Sequence, residues 1–168
     1  MKWMQVQKKK TSLLKRAGEV LNIPALMALP PRVQYAALPW RMTDGTLEVL
    51  LLTSRGTGRW VVPKGWPHDE FSSAHSAAQE AYEEAGIRGA VTREPIGSYR
   101  YDKTRDEGGS VECVVYVHAL EVIEQLDDWP EKGQRDLQWF PRLSAAEKVA
   151  EPELRELILT YGPPLPYS

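Results

Sequence analysis

The chain has 168 residues, 42% of them apolar and 26% charged, with 21 basic against 23 acidic side chains for a formal net charge of −2. That length fits one core of ordinary size. The apolar content excludes wholesale disorder, and the lack of a basic excess speaks against a dedicated nucleic-acid binder. Cys113 is the sole cysteine, which excludes an intramolecular disulfide and a multi-cysteine zinc site. Apolar runs such as Val49-Leu50-Leu51-Leu52 are far too short to cross a bilayer. The expectation is a soluble, cytoplasmic, single-domain protein with no membrane partner.

Charge is uneven along the chain. Lys2, Lys8, Lys9, Lys10, Lys15 and Arg16 all precede the first acidic residue, Glu19, so the first 18 residues carry +6 and the rest −8. No apolar core of signal-peptide length follows this head. The reading for 1–31 is a basic, partly ordered arm, with a short helix over Ser12 to Leu21 whose Leu13, Leu14, Ala17 and Leu21 share one side. Pro24 and Pro30-Pro31 mark the entry to the main domain, 32–168.

From there the pattern predicts strands over Val33 to Trp40, Leu47 to Thr53 and Trp60 to Val62, with turns at Thr43-Asp44-Gly45 and Arg55 to Gly58. Ser73 to Ala85 contains no Gly or Pro, begins beside Ser72 and Ser73 as candidate caps, and stops at Gly86; it predicts a helix. Ile96 to Tyr101 and Val111 to Leu120 read as a strand pair joined by a charged loop from Asp102 to Gly109, and Leu137 to Phe140 as a last short strand. Glu153 to Tyr161 repeats Leu154, Leu157 and Ile158 at helical spacing before Gly162-Pro163. Strands, one helix, strands, one helix predict an α/β fold with helices packed on a mixed sheet.

The chemistry concentrates between Pro63 and Ile87. A helix over Ser73 to Ala85 places Glu80, Glu83 and Glu84 at i, i+3 and i+4 on one face. Like charges that close repel, so the helix gains nothing locally from assembling them. Clustered hard oxygens are what Mg²⁺ or Mn²⁺ requires, with waters and substrate phosphates completing the shell; a solvated acidic face is the plainer alternative. The opposite face, Ala74, Ala77, Ala78, Ala81 and Ala85, is small enough to lie close on a sheet.

Gly65, five residues, Phe71, seven residues and then Gln79-Glu80-Ala81-Tyr82-Glu83-Glu84-Ala85-Gly86-Ile87 resemble the signature of the Nudix hydrolases, G-x5-E-x7-R-E-U-x-E-E-x-G-U. Three positions depart: Phe71 stands for the first Glu, Gln79 for the Arg, and Ala81 for the aliphatic residue. In the family that Glu and Arg help hold the loop against the helix. Here both charges are replaced together, which avoids leaving one uncompensated, and Glu70 is a candidate substitute. Thr53-Ser54-Arg55, Arg59 to Gly65, Trp129-Pro130-Glu131 and Arg135 to Phe140 extend the likeness toward the diphosphoinositol polyphosphate and diadenosine polyphosphate phosphohydrolase branch.

The resemblance implies an α/β/α sandwich with a mixed central sheet and the box helix packed on it. It also implies metal-dependent hydrolysis of a pyrophosphate linkage in a small phosphorylated metabolite by a monomer or homodimer. Glu80, Glu83, Glu84 and the Gly65 carbonyl are then the metal ligands, with Mg²⁺ (or Mn²⁺) as cofactor, and Glu84 and Glu83 the catalytic candidates, Glu84 as general base. Arg32, Ser54, Arg55, Arg59, Lys64, Lys103 and Arg135 are candidates for holding the polyanion, with Arg41 as a further cation. Tyr101 and Trp66 are candidate stacking residues, Glu107 and Glu112 candidate accessory carboxylates, and His68 a candidate phosphate contact. His118 and Cys113 read as structural. Two other readings stay open: a catalytically weakened domain that senses a phosphorylated metabolite, prompted by Phe71 and Gln79, and a cap-removing enzyme, prompted by the basic head.

Overall fold

The computed structural model describes residues 30–164. The helix expected over Ser12 to Leu21, and nearly all of the basic arm, lie outside the described residues. The elements run β1 (Arg32–Thr43), β2 (Thr46–Thr53), β3 (Trp60–Val61), β4 (Lys64–Gly65), α1 (Ser73–Ala85), β5 (Ile87–Val91), β6 (Gly97–Thr104), β7 (Ser110–Gln125), β8 (Leu137–Pro141), α2 (Arg142–Lys148) and α3 (Pro152–Thr160).

The strands form one mixed sheet whose spine is β3-β2-β1-β7-β5, with β4 paired to β1, β6 to β7 and β8 to β2. β1 and β7 run parallel through nine residue pairs from Arg32↔Cys113 to Trp40↔Glu121. Every other pairing between named strands is antiparallel. β1 accepts β4 opposite Tyr35 and Ala36 and β2 opposite Trp40 to Thr43. Ala37 donates its N–H to the Pro63 carbonyl on that side. Strand alternation puts the missing donor of Pro39 on the same side, where β1 changes partner and no ladder bond is lost.

The nearly continuous apolar run of β2 follows from burial on both faces. Val49 and Leu51 join Ala36, Leu38, Val115, Val117, Ala145, Leu154 and Ile158 in the core under α2 and α3. Leu50 and Leu52 point the other way, into a core with Ala37, Ala77, Ala81, Ala85, Ile87 and Leu120 under α1. The fold is the expected sandwich. Alanines on the inner side of α1 let it lie close on the sheet, and that closeness sets its carboxylates against β4.

Three expectations are corrected. β6 continues to Thr104 and β7 begins at Ser110, so Asp102 to Thr104 are strand, paired Asp102↔Glu112 through Thr104↔Ser110. β4 and β5 were not expected; β5 contains Gly89, where its register shifts and a Cβ would strike the Glu121 carbonyl. The seven-residue α2 was also missed, so two helices follow the sheet rather than one. Among the described residues no helix is long and apolar enough to cross a membrane.

Candidate functional site

The site begins where β4 hands the chain to α1. Ser72 caps α1 by accepting the His75 N–H at 3.1 Å. Gly86 ends it at φ 65°, donating its N–H to the Ala81 and Tyr82 carbonyls. Between β4 and the cap, His68 donates its N–H to Ser76 Oγ at 3.3 Å, and its carbonyl accepts the Phe71 N–H at 2.9 Å. Gly65 lies against the Glu80 carboxylate so closely that a Cβ there would overlap it. A side chain at this position would push the Glu80 carboxylate out of its present place.

The three glutamates do not share one environment. Glu80 and Glu84 are buried, whereas Glu83 is half-exposed and accepts a 2.8 Å bond from Gln79 Nε2. Gln79 thus still binds across one helical turn although it carries no charge. Glu84 turns into the fold, where Oε2 accepts the Lys64 backbone N–H at 3.3 Å and Oε1 meets Arg135 Nη2 at 3.2 Å. Burial pushes its carboxyl up to about 7, reinforced by Glu80 and Glu131 and opposed by Arg135 and Lys64. Desolvation therefore outweighs two neighbouring cations. Burial also raises Glu80, opposed by its hydrogen bond to His68.

Glu80, Glu83 and His68 each offer one ligand atom within 4.8 Å of the others. Two carboxylates, one of them desolvated and short of positive charge, with an imidazole beside them, form a donor set that fits a divalent cation. Glu84 is one helical turn from Glu80 but stands outside this group, facing Arg135. Glu70, the expected substitute for the missing box charge, is exposed and also lies outside it.

An open cleft of about 700 Å³ adjoins this acidic face. It is lined by Arg32 from the start of β1, Ser54, Arg55 and Gly56 after β2, Lys64 of β4, Trp66, and Arg135 ahead of β8. The β6–β7 hairpin closes its far wall with Lys103 to Glu107 and Val111. Six cationic side chains against Asp106 and Glu107 give it a positive balance. The Arg32 guanidinium lies 4.6 Å and the Lys103 ammonium 5.6 Å from the Trp66 ring. Lys64 Nζ sits 5.0 Å above Tyr101, and burial lowers its pKa below the ordinary lysine value. Arg135, nearly buried, also reaches Glu131 at 3.6 Å and the Thr53 carbonyl at 3.3 Å, so it joins the cleft to the glutamates.

The structure thus gathers Arg32, Ser54, Arg55, Lys64, Lys103 and Arg135 around one space. Arg59 lines a neighbouring cavity of about 170 Å³ with Tyr101 and pairs with Glu151 at 3.5 Å. Arg41 is nine residues along β1 from Arg32, roughly 30 Å at strand rise, and is committed to Glu48 at 3.0 Å and the Trp139 ring. It is not a site residue. Glu112 pairs with Arg100 and stays out of the cleft, which Glu107 enters. His118 is buried between the Thr92 carbonyl and Ser73 Oγ, as a structural role requires. Cys113 is a buried free thiol. Sequence reasoning missed Arg105, reading its loop only as charged, and offered His68 as a phosphate contact without anticipating that it meets Glu80.

The NUDIX domain family model matches residues 31–161. The chain is 36% identical over 107 residues to Nudix hydrolase 12, mitochondrial, of Arabidopsis thaliana, covering 60% of this chain and 51% of that protein. It is 35% identical over 107 residues to diphosphoinositol polyphosphate phosphohydrolase 3-beta of Homo sapiens, covering 62% and 60%. It thus spans between half and two thirds of the length of these curated relatives. The crystal structure of C. elegans Ap4A hydrolase has the same fold, with a TM-score of 0.57 at 19% identity over 77% of this chain and 95% of that one. A family match over all but the ends of the chain, on a sandwich whose box helix carries the signature glutamates, means that this chain belongs to the NUDIX domain family.

Proposed function

We propose that the protein is a divalent-metal-dependent pyrophosphohydrolase acting on a small phosphorylated metabolite of the diphosphoinositol polyphosphate or dinucleoside polyphosphate type. The observation that carries this reading is the junction of the acidic helix face with the cationic cleft through Lys64 and Arg135. A polyanion needs both at once. Glu80 and Glu83 are the carboxylates that would hold the cation, with Glu84, one helical turn from Glu80, and the Gly65 carbonyl as the further oxygens the box pattern offers. When bound, a divalent cation acidifies a water and neutralises charge on the transferring oxygens.

The chain's own residues do the rest. Arg32, Arg55 and Lys103 bind phosphate oxygens at the open end, and the arginine forks fix orientation. Arg135 and the Lys64 amide hold Glu84 in one rotamer, and each carboxylate oxygen keeps a lone pair for the proton of the attacking water. In the metal-free protein burial raises the basicity of this carboxyl, the direction a general base needs.

The test is product formation by chromatography with Mg²⁺ or Mn²⁺ over dinucleoside polyphosphates, ADP-ribose, nucleoside triphosphates and diphosphoinositol phosphates. Turnover that falls by roughly 10²–10⁴-fold in Glu84→Gln is the expected result for loss of a general base. Tight binding of these compounds with none consumed would overturn it in favour of a sensor.

A further inference from the structure

We propose that His68 is a metal ligand in this chain, its imidazole nitrogen joining the Glu80 and Glu83 carboxylates, so that the cation is held by mixed nitrogen and oxygen donors. This rests on the metal-dependent reading above and deepens it.

Three observations carry it. Nε2 of His68 lies 3.2 Å from Glu80 Oε1, and both belong to the one three-residue donor group found among the described residues. Adjacent ligands of an octahedral cation with bonds of about 2.1 Å are separated by roughly 3 Å. The two atoms therefore stand at a spacing that a shared cation accepts without rearrangement. The backbone around His68 is fixed at both of its polar groups, through Ser76 Oγ and the Phe71 N–H. Phe71 itself offers no oxygen: its ring stacks on His75 at 3.7 Å and lies 5.3 Å from the His68 ring. The position where the box has a glutamate thus supplies no competing oxygen, and its ring packs beside the imidazole instead.

A nitrogen donor changes which ion is favoured. Mg²⁺ is bound almost wholly through oxygen, whereas imidazole strengthens binding along the first-row divalent series. The expected consequence is a preference for Mn²⁺ over Mg²⁺ that depends on His68.

The experiment loads the full-length protein with Mn²⁺ and records its electron spin echo envelope modulation, which reports a directly coordinated nitrogen-14. Wild type and His75→Ala should both show the modulation. His68→Ala should lose it while still binding Mn²⁺, at an affinity weaker by about tenfold or more. Bound Mn²⁺ without nitrogen modulation in wild type would overturn the inference and leave the proposed hydrolase standing. Modulation that persists in His68→Ala would overturn it equally. Failure to bind Mn²⁺ at all would overturn both.

Discussion

Glu84 joins the acidic and the basic halves of the site, and its environment has a consequence for stability. The unfolded chain releases this proton near the ordinary carboxyl value of 4.5, whereas the folded, metal-free protein holds it to about 7. Between those values the folded state binds the extra proton, so stability falls as pH rises through the interval. Glu80, raised by the same cause, acts in the same direction. In the presence of a chelator, the melting temperature of Glu84→Gln should decline less than that of wild type between pH 5 and pH 7.5. Equal slopes in the two proteins would show that Glu84 is not the group that burial has shifted.

At the scale of elements, α1 depends on its two ends. Gly86 holds φ 65° and lies where a Cβ would overlap the Trp129 ring. Gly86→Ala therefore combines left-handed strain of about 1–2 kcal/mol with that overlap. Ser72→Ala removes one cap bond, worth about 0.5–2 kcal/mol. Chemical denaturation should rank Gly86→Ala as the more damaging; a smaller loss than in Ser72→Ala would mean that Trp129 moves aside at little cost. These same ends made α1 readable in the sequence, because cap, alanine face and terminal glycine all agreed. β5 was unreadable because Arg88-Gly89-Ala90 lacks β-branched residues and is exposed along most of its length. Arg142–Lys148 has too few turns to show a helical period and no side-chain cap. Lys103 and Thr104 read as loop because the hairpin arm they occupy is exposed, so no buried alternation marked it as strand. His68 carried no ligand spacing; only the fold of the loop from Trp66 to Ser72 brings it to Glu80.

Across the whole molecule, the sheet brings together cations that lie far apart in the chain. Arg32 begins β1, Lys64 lies in β4, Lys103 and Arg105 sit on the β6–β7 hairpin, and Arg135 precedes β8. Pairing Lys103↔Val111 and Thr104↔Ser110 holds the hairpin wall against the start of β1, which runs parallel to β7. Neutralising Arg105 with Gln, in exposed surroundings away from Glu80, should raise KM several-fold and leave kcat within about twofold, with a gap that narrows as salt is added. A fall in kcat at unchanged KM would place Arg105 in the chemical step instead of in phosphate capture.

Hydrolysis of a susceptible dinucleoside polyphosphate or diphosphoinositol phosphate in ¹⁸O-enriched water, with the products read by ³¹P NMR, tests the central claim most directly. The account predicts one labelled oxygen on phosphorus per bond cleaved, complete dependence on an added divalent cation, and loss of labelled product in Glu84→Gln. Cleavage that survives chelation, or product phosphate without label, would contradict attack by water at the Glu80, Glu83 and Glu84 face.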